Sequence, residues 1–134
     1  MHIPQKTFGF GIKSIQSRYL SELASLQSKK NRNYTQLKPG NNNSYYVEAN
    51  LGSVQLIREK LGVATHIHAT PPKQFLPIAA ALPNTKNFRF CGREKQENTL
   101  LQATGDEWDI STDDELDYVG LVFDYSHLNQ HYQS

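Results

Sequence analysis

The stretch from Asn33 to Phe123 limits the fold more than any other feature, because nothing in it supplies a helical crossover. Short runs rich in Val, Ile, Tyr and Phe alternate there with turn residues, the pattern of successive strands. Strands are expected over 33–38, 44–50, 53–61, 64–69, 75–82, 87–91, 98–102, 107–111 and 116–123. Breaks fall at Pro39-Gly40, Leu51-Gly52, Pro71-Pro72, Pro83-Asn84, Gly105-Asp106 and Asp113-Asp114. Parallel neighbours need crossovers of about a dozen residues or more, usually helical. Without them the strands must pair antiparallel, as a barrel or a sandwich.

The one helical signal precedes the strands. Ile15, Tyr19, Leu23 and Leu26 recur at spacings of four and three, with Leu20 beside them. This predicts a helix over 14–30, capped by Ser14, closed by Lys29 and Lys30 at its negative end, and stopped by Asn31-Arg32-Asn33. A lone amphipathic helix has to pack on a larger core. Ser126-His127-Leu128 is read as the cap and start of a second helix over 126–134. Alternation along the strands is imperfect: Val54 and Leu56 share one face while Ile57 takes the other. Strands apolar on both faces suit a barrel whose outside is covered by a helix or a partner. No repeat or linker divides the chain, so residues 1–134 are expected to form one domain with its barrel over 33–123.

Composition removes several function classes. At 37% hydrophobic residues and a mean hydropathy of −0.63, the chain is polar but too rich in large apolar residues for disorder. A single cysteine, Cys91, excludes an intrachain disulfide and a cysteine-built zinc site, and fits a reducing cytoplasm. The opening MHIPQKTFGF lacks the apolar core of a signal peptide, and no run has membrane-spanning length. A cytoplasmic location is therefore expected. Net charge is +1, but its distribution is uneven. Residues 1–93 carry most of the Lys and Arg against only Glu22, Glu48 and Glu59, while residues 94–134 carry Lys95 against the remaining acids. With apolar residues spread through both halves, the two are expected to lie side by side and neutralise each other.

Local motifs give little chemistry. His66-Ile67-His68 puts two imidazoles on one face of a strand, a spacing that can hold a metal. Ala69-Thr70-Pro71-Pro72 follows instead of a nearby carboxylate ligand, and no further histidine comes before His127. The pair is read as lining a strand edge or pocket. Asp109 to Asp117 lacks the Gly and the Glu that a calcium loop needs at its sixth and twelfth positions, which are Asp114 and Gly120. Gly9-Phe10-Gly11 has Ser14 where a dinucleotide fingerprint needs its third glycine. Arg93 follows Cys91 closely, yet no nucleophile signature surrounds it, and Cys91 is read as a half-buried structural residue. The basic residues of the first half are scattered and form no nucleic-acid-binding pattern.

Taken in order, a series of phrases carries a resemblance. Tyr34-Thr-Gln-Leu37-Lys-Pro39-Gly40 leads to the turn at Leu51-Gly52, then Ser53-Val-Gln-Leu56-Ile-Arg58-Glu. Ala69-Thr70-Pro71-Pro72, Ala81-Leu82-Pro83 and Phe88-Arg89-Phe90-Cys91-Gly92-Arg93 follow. Asn98-Thr-Leu-Leu101, Gly105-Asp-Glu107-Trp-Asp109 and Glu115-Leu-Asp117-Tyr-Val-Gly-Leu-Val-Phe123 close the series. The order and spacing are similar to the N-terminal domain of AraC/XylS-family transcription regulators, in the subgroup resembling ethanolamine-operon activators. The resemblance implies a cupin-like antiparallel β-barrel or sandwich that senses a small-molecule effector or dimerises, with no catalysis and no cofactor. DNA would be contacted by a helix-turn-helix domain lying beyond Ser134, and no membrane is involved. The family has no universal ligand set. Arg58, His66, His68 and Trp108 are the pocket candidates, as polar or aromatic groups on expected barrel strands. The helix stripe is the expected homodimer surface. The alternatives are a stand-alone cupin small-molecule-binding module and a small cupin metalloenzyme using His66 and His68.

Overall fold

Each expected strand finds an antiparallel neighbour in the computed structural model, which describes residues 7–27, 30–40, 42–85, 87–103 and 107–126. In chain order the elements are β1 (Phe10–Ser17), α1 (Leu20–Leu26), β2 (Arg32–Gln36), β3 (Ser44–Leu51), β4 (Val54–Leu61) and β5 (Thr65–Ala69). Then follow β6 (Phe75–Ala81), β7 (Phe88–Phe90), β8 (Arg93–Lys95), β9 (Leu100–Leu101), β10 (Trp108–Thr112) and β11 (Leu116–Asp124). One sheet has the order β1-β3-β4-β11-β6-β9 and the other β2-β5-β10-β7-β8. The chain is mainly β and antiparallel, as the missing crossovers require.

The helix is shorter than predicted. Residues 14–17 belong to β1, and α1 begins only at Leu20. Backbone pairing explains the difference: β1 lies along β3 from Phe10↔Leu51 to Ser17↔Ser44, so its hydrogen bonds are made across the sheet. Ile15 therefore reaches the core from a strand, while Leu23 enters it from the helix. The apolar stripe is consequently spent on the fold: Leu23 is fully buried, Leu20 and Leu26 pack against the core, and only Tyr19 stands exposed. Of the predicted second helix, residues 127–134 lie outside the described residues.

A further hairpin went unpredicted. Phe90 and Arg93 pair across Cys91 and Gly92, whose φ angles of 50° and 80° are both positive. Two positive values at the centre of a two-residue turn match the twist of the strands it joins. Cys91 is exposed there, so its place is set by turn geometry and it is not half-buried.

Both layers bury one face. Ile67, Phe88, Phe90, Trp108 and Ile110 of the smaller sheet meet Leu61, Ala79, Ala81, Leu101 and Leu116 of the larger one. The outward face of the larger sheet is also apolar. Registers align Phe10, Leu51, Val54, Phe123 and Leu76 in one row, and Ile12, Ala49, Leu56, Leu121 and Ile78 in the next. The charge asymmetry resolves as expected, since basic β4 lies beside acidic β11 and Arg58 pairs with Asp117 at 3.2 Å.

Gly62, between β4 and β5, marks a close backbone approach. A Cβ there would sit 2.6 Å from the backbone carbonyl oxygen of Asn43, which cannot swing aside as the end of a side chain would. Gly62→Ala is expected to cost about 1–3 kcal/mol by overpacking, read as a lower urea midpoint with unchanged slope.

Candidate functional site

Strand alternation decides which side chains reach the interior, and on β3 and β4 it sends polar ones there. Ser44, Tyr46, Glu48 and Asn50 point inward from β3, with Gln55, Ile57, Glu59 and Leu61 from β4. All are buried. Half-buried antiparallel strands ordinarily turn their apolar side inward. Here the polar groups inside must instead be matched to one another.

Glu59 is the centre of the match. Its side chain is fully buried, and Arg32 donates to it at 3.0 Å. Gln27 Nε2 donates at 3.0 Å, Tyr118 Oη at 2.5 Å, and Tyr34 Oη donates to Oε2 as well. The Arg32 guanidinium also donates to Tyr118 Oη at 2.8 Å and to Tyr34 Oη at 3.1 Å. Burial holds the Tyr34 and Tyr118 hydroxyls protonated well above their ordinary range. Glu59 raises them further, against the opposing pull of Arg32.

A second set adjoins the first. Lys30 Nζ donates to Gln55 Oε1 at 2.7 Å and to Tyr46 Oη at 3.3 Å. Gln55 Nε2 in turn donates to Glu48 at 2.8 Å and to Asn50 at 2.9 Å. Lys30 is buried away from water and repelled by Arg32, which together outweigh Glu59 and Glu48 and bring its pKa down to about 7.

Between these groups and the apolar core lies a small cavity, lined by Lys30, Arg32, Ile57, Trp108, Tyr118 and Val122 among others. The space open to water centres is about 20 Å³, enough for a single water. The indole Nε1–H of Trp108 is buried without an acceptor among the described residues, and so is the Gln27 Oε1 without a donor. The cavity is thus lined by the Trp108 indole, the Arg32 guanidinium, the Lys30 amine and an apolar flank.

Of the four candidates named from sequence, Trp108 alone lines this cavity. It is almost fully buried, edge-on to Phe90 with ring centroids 4.8 Å apart. Arg58, His66 and His68 sit at positions that alternate with the buried ones and face outward. Arg58 pairs with Asp117 on the outside of the larger sheet. On the outside of the smaller sheet His66 Nε2 meets Asp109 at 2.9 Å, and His68 Nε2 lies 3.7 Å from Glu107. The histidines are therefore not pocket-lining. Among the described residues no three His, Cys, Asp or Glu side chains converge on a metal-sized site. Sequence reasoning missed Gln27, Lys30, Arg32, Glu48 and Glu59. One signal was available: Glu48 and Glu59 are two of the few acids before residue 94, and Glu48 is separated by one residue from Tyr46 and from Asn50.

No family model and no curated protein matches the chain. Among solved structures it is similar to a cupin-2 domain from Rhodospirillum rubrum, at 11% identity over 69% of each chain with a TM-score of 0.46. It is similar to the EutQ protein of Clostridium difficile at 12% identity, over 84% of this chain and 95% of that one, with a TM-score of 0.44. An HTH_3 family transcriptional regulator from Vibrio cholerae is similar at 11% identity, over 78% of this chain and 60% of that one, with a TM-score of 0.45.

Two outcomes follow from the buried charges. Glu59→Ala leaves the Arg32 guanidinium unpaired inside the sandwich and is expected to cost about 3–5 kcal/mol in denaturant unfolding. Lys30 titrates near pH 7 when folded and near 10.5 when unfolded. Between those values the unfolded chain binds the extra proton, so stability rises with pH across that window. Urea unfolding should show the wild type gaining on Lys30→Met by at most about 1.4 kcal/mol per pH unit. The gain should be absent below pH 7.

Proposed function

We propose that this chain is the effector-sensing module of an AraC-type transcription regulator, a cupin-like domain that binds a small molecule and performs no catalysis. The observation that carries this reading is the buried Trp108 indole N–H, without an acceptor among the described residues, on a side chain that lines one cavity with Lys30 and Arg32. A buried donor left without a partner is costly. A ligand that brings a carboxylate or carbonyl oxygen to Trp108 and Arg32 would relieve that cost. Ile57, Ala79 and Val122 would flank its apolar part.

The cavity's size supports a sensor more than a storage site. It admits one water, so a larger occupant has to displace a lining side chain such as Lys30. Ligand affinity is then tied to the position of that side chain, the differential that lets binding shift a conformational equilibrium. Contact with a promoter would fall to a helix-turn-helix segment further along the reading frame. Finding such paired motifs after Ser134 would support this part of the reading, and a stop codon there would overturn it.

Trp108 is the only tryptophan of the chain, so its emission reports directly on the cavity. Titration with a series of small carboxylates of increasing apolar length should give a saturable change for at least one member. Arg32→Met should weaken that binding tenfold or more, on the order of 1.4 kcal/mol, while His66→Ala and His68→Ala should leave it unchanged. No saturable response across the series, or equal loss in the histidine variants, would exclude this site.

A further inference from the structure

A lysine inside a protein is ordinarily paired with a carboxylate, and Lys30 is not. Only 6% of it is exposed, and no acid lies within ion-pair distance of its amine among the described residues. The partners of Nζ are both uncharged, Gln55 Oε1 at 2.7 Å and Tyr46 Oη at 3.3 Å. We infer that Lys30 is a covalent capture site for small uncharged aldehydes, which its amine takes up reversibly as an imine. The inference concerns the amine alone and does not rest on the cavity binding an effector.

The hydrogen bonds around Nζ suit a neutral amine, which has two hydrogens and one lone pair. Gln55 Oε1 takes one hydrogen, and Tyr46 Oη takes the other while giving its own proton to Glu48 Oε1 at 3.2 Å. The lone pair is left without a donor among the described residues, as a nucleophile requires. An ammonium in the same place would carry a third N–H with no acceptor, away from water. Burial and the Arg32 guanidinium oppose a positive charge there and outweigh Glu59 and Glu48. Tyr34 and Tyr118, both donating to Glu59, keep their protons and add no charge.

The step balances without a further reactant. The Nζ lone pair forms a bond to the carbonyl carbon as the C=O π pair moves to oxygen. Both amine hydrogens then leave with that oxygen as water, and a C=N bond replaces the C–O bond. Tyr46 Oη, hydrogen-bonded to Nζ on one side and to Glu48 on the other, is placed to relay the protons. A neutral amine becomes a neutral imine, so the interior gains no charge. Carbon dioxide, another small electrophile for amines, would instead add a carbamate near Glu48 and Glu59, a third acid group facing the one guanidinium of Arg32. The cavity sets the size. Room for one water favours the shortest aldehydes, whose oxygen departs and whose alkyl chain meets Ile57, Ala79 and Val122.

Reductive trapping of the wild-type full chain provides the test, with limiting propanal and cyanoborohydride near neutral pH and peptide mass spectrometry as the readout. Lys30 should be alkylated first, about tenfold or more ahead of the exposed Lys13, Lys38 and Lys73, because ordinary lysines titrate near about 10.4 and are almost wholly protonated there. Burial without a reactive amine gives the opposite order, so finding Lys30 among the slowest lysines would overturn the proposal. The pH profile is a second readout. Labelling of Lys30 should level off above about 7, while that of the three surface lysines keeps rising; a Lys30 profile parallel to theirs would also overturn it. A bulky aromatic aldehyde should label the surface lysines and pass over Lys30, and equal labelling of Lys30 by it would exclude capture inside the cavity. No variant is involved, so none of these outcomes depends on a substituted chain folding.

Discussion

The buried ion pair between Arg32 and Glu59 governs how the two sheets meet. Glu59 belongs to the larger sheet and Arg32 to the smaller, and their side chains are almost wholly withdrawn from water. A pair so placed adds little net stability over a well-packed apolar substitute, because desolvation consumes most of the Coulomb gain. What it does impose is geometry. An unmatched charge inside costs several kcal/mol, so Gln27, Tyr34 and Tyr118 must all sit where Glu59 can accept from them. The pair therefore fixes the end of α1, the start of β2 and the middle of β11 relative to β4.

That constraint extends to the cavity. Lys30 follows Gln27 by three residues and precedes Arg32 by two, so the segment that positions one cation for Glu59 also places a second against Gln55 and Tyr46. Burial costs Lys30 its charge near neutral pH, whereas Arg32 keeps its own through Glu59 and the two tyrosines. Arg32 is thus matched by Glu59 and two tyrosines, while two residues before it stands a group whose protonation changes near pH 7. Under the proposed function, a ligand oxygen at the cavity would favour the protonated amine, and its binding would be linked to proton uptake at Lys30.

The strand framework was legible in the sequence because it depends on local signals. Turn residues at Leu51-Gly52, Pro83-Asn84 and Asp113-Asp114 punctuate β-rich runs, and the absent crossovers leave antiparallel pairing as the remaining option. β1 was not legible, since Ile15, Tyr19, Leu23 and Leu26 satisfy a helical period while the backbone of residues 10–17 pairs with β3. That pairing is a tertiary fact, and it overrides the local spacing. The site was largely hidden for a related reason. Trp108 could be found as an aromatic residue on a strand, but the other pocket candidates, Arg58, His66 and His68, lie at positions that the alternation of their strands sends outward.

The inverted polarity of β3 and β4 connects both errors to the surface of the molecule. A period of two leaves only two choices for each strand, and these strands place Glu48, Asn50, Gln55 and Glu59 inside. The complementary positions, Val47, Ala49, Leu51, Val54 and Leu56, must then face out. Slipping β4 by one residue would bury Val54 and Leu56, but it would expose Gln55 and Glu59 and take from Lys30 and Arg32 their partners on that strand. The polar interior and the apolar exterior are consequently one choice of register, and a chain that keeps these charges inside carries apolar side chains on the outward face of its larger sheet.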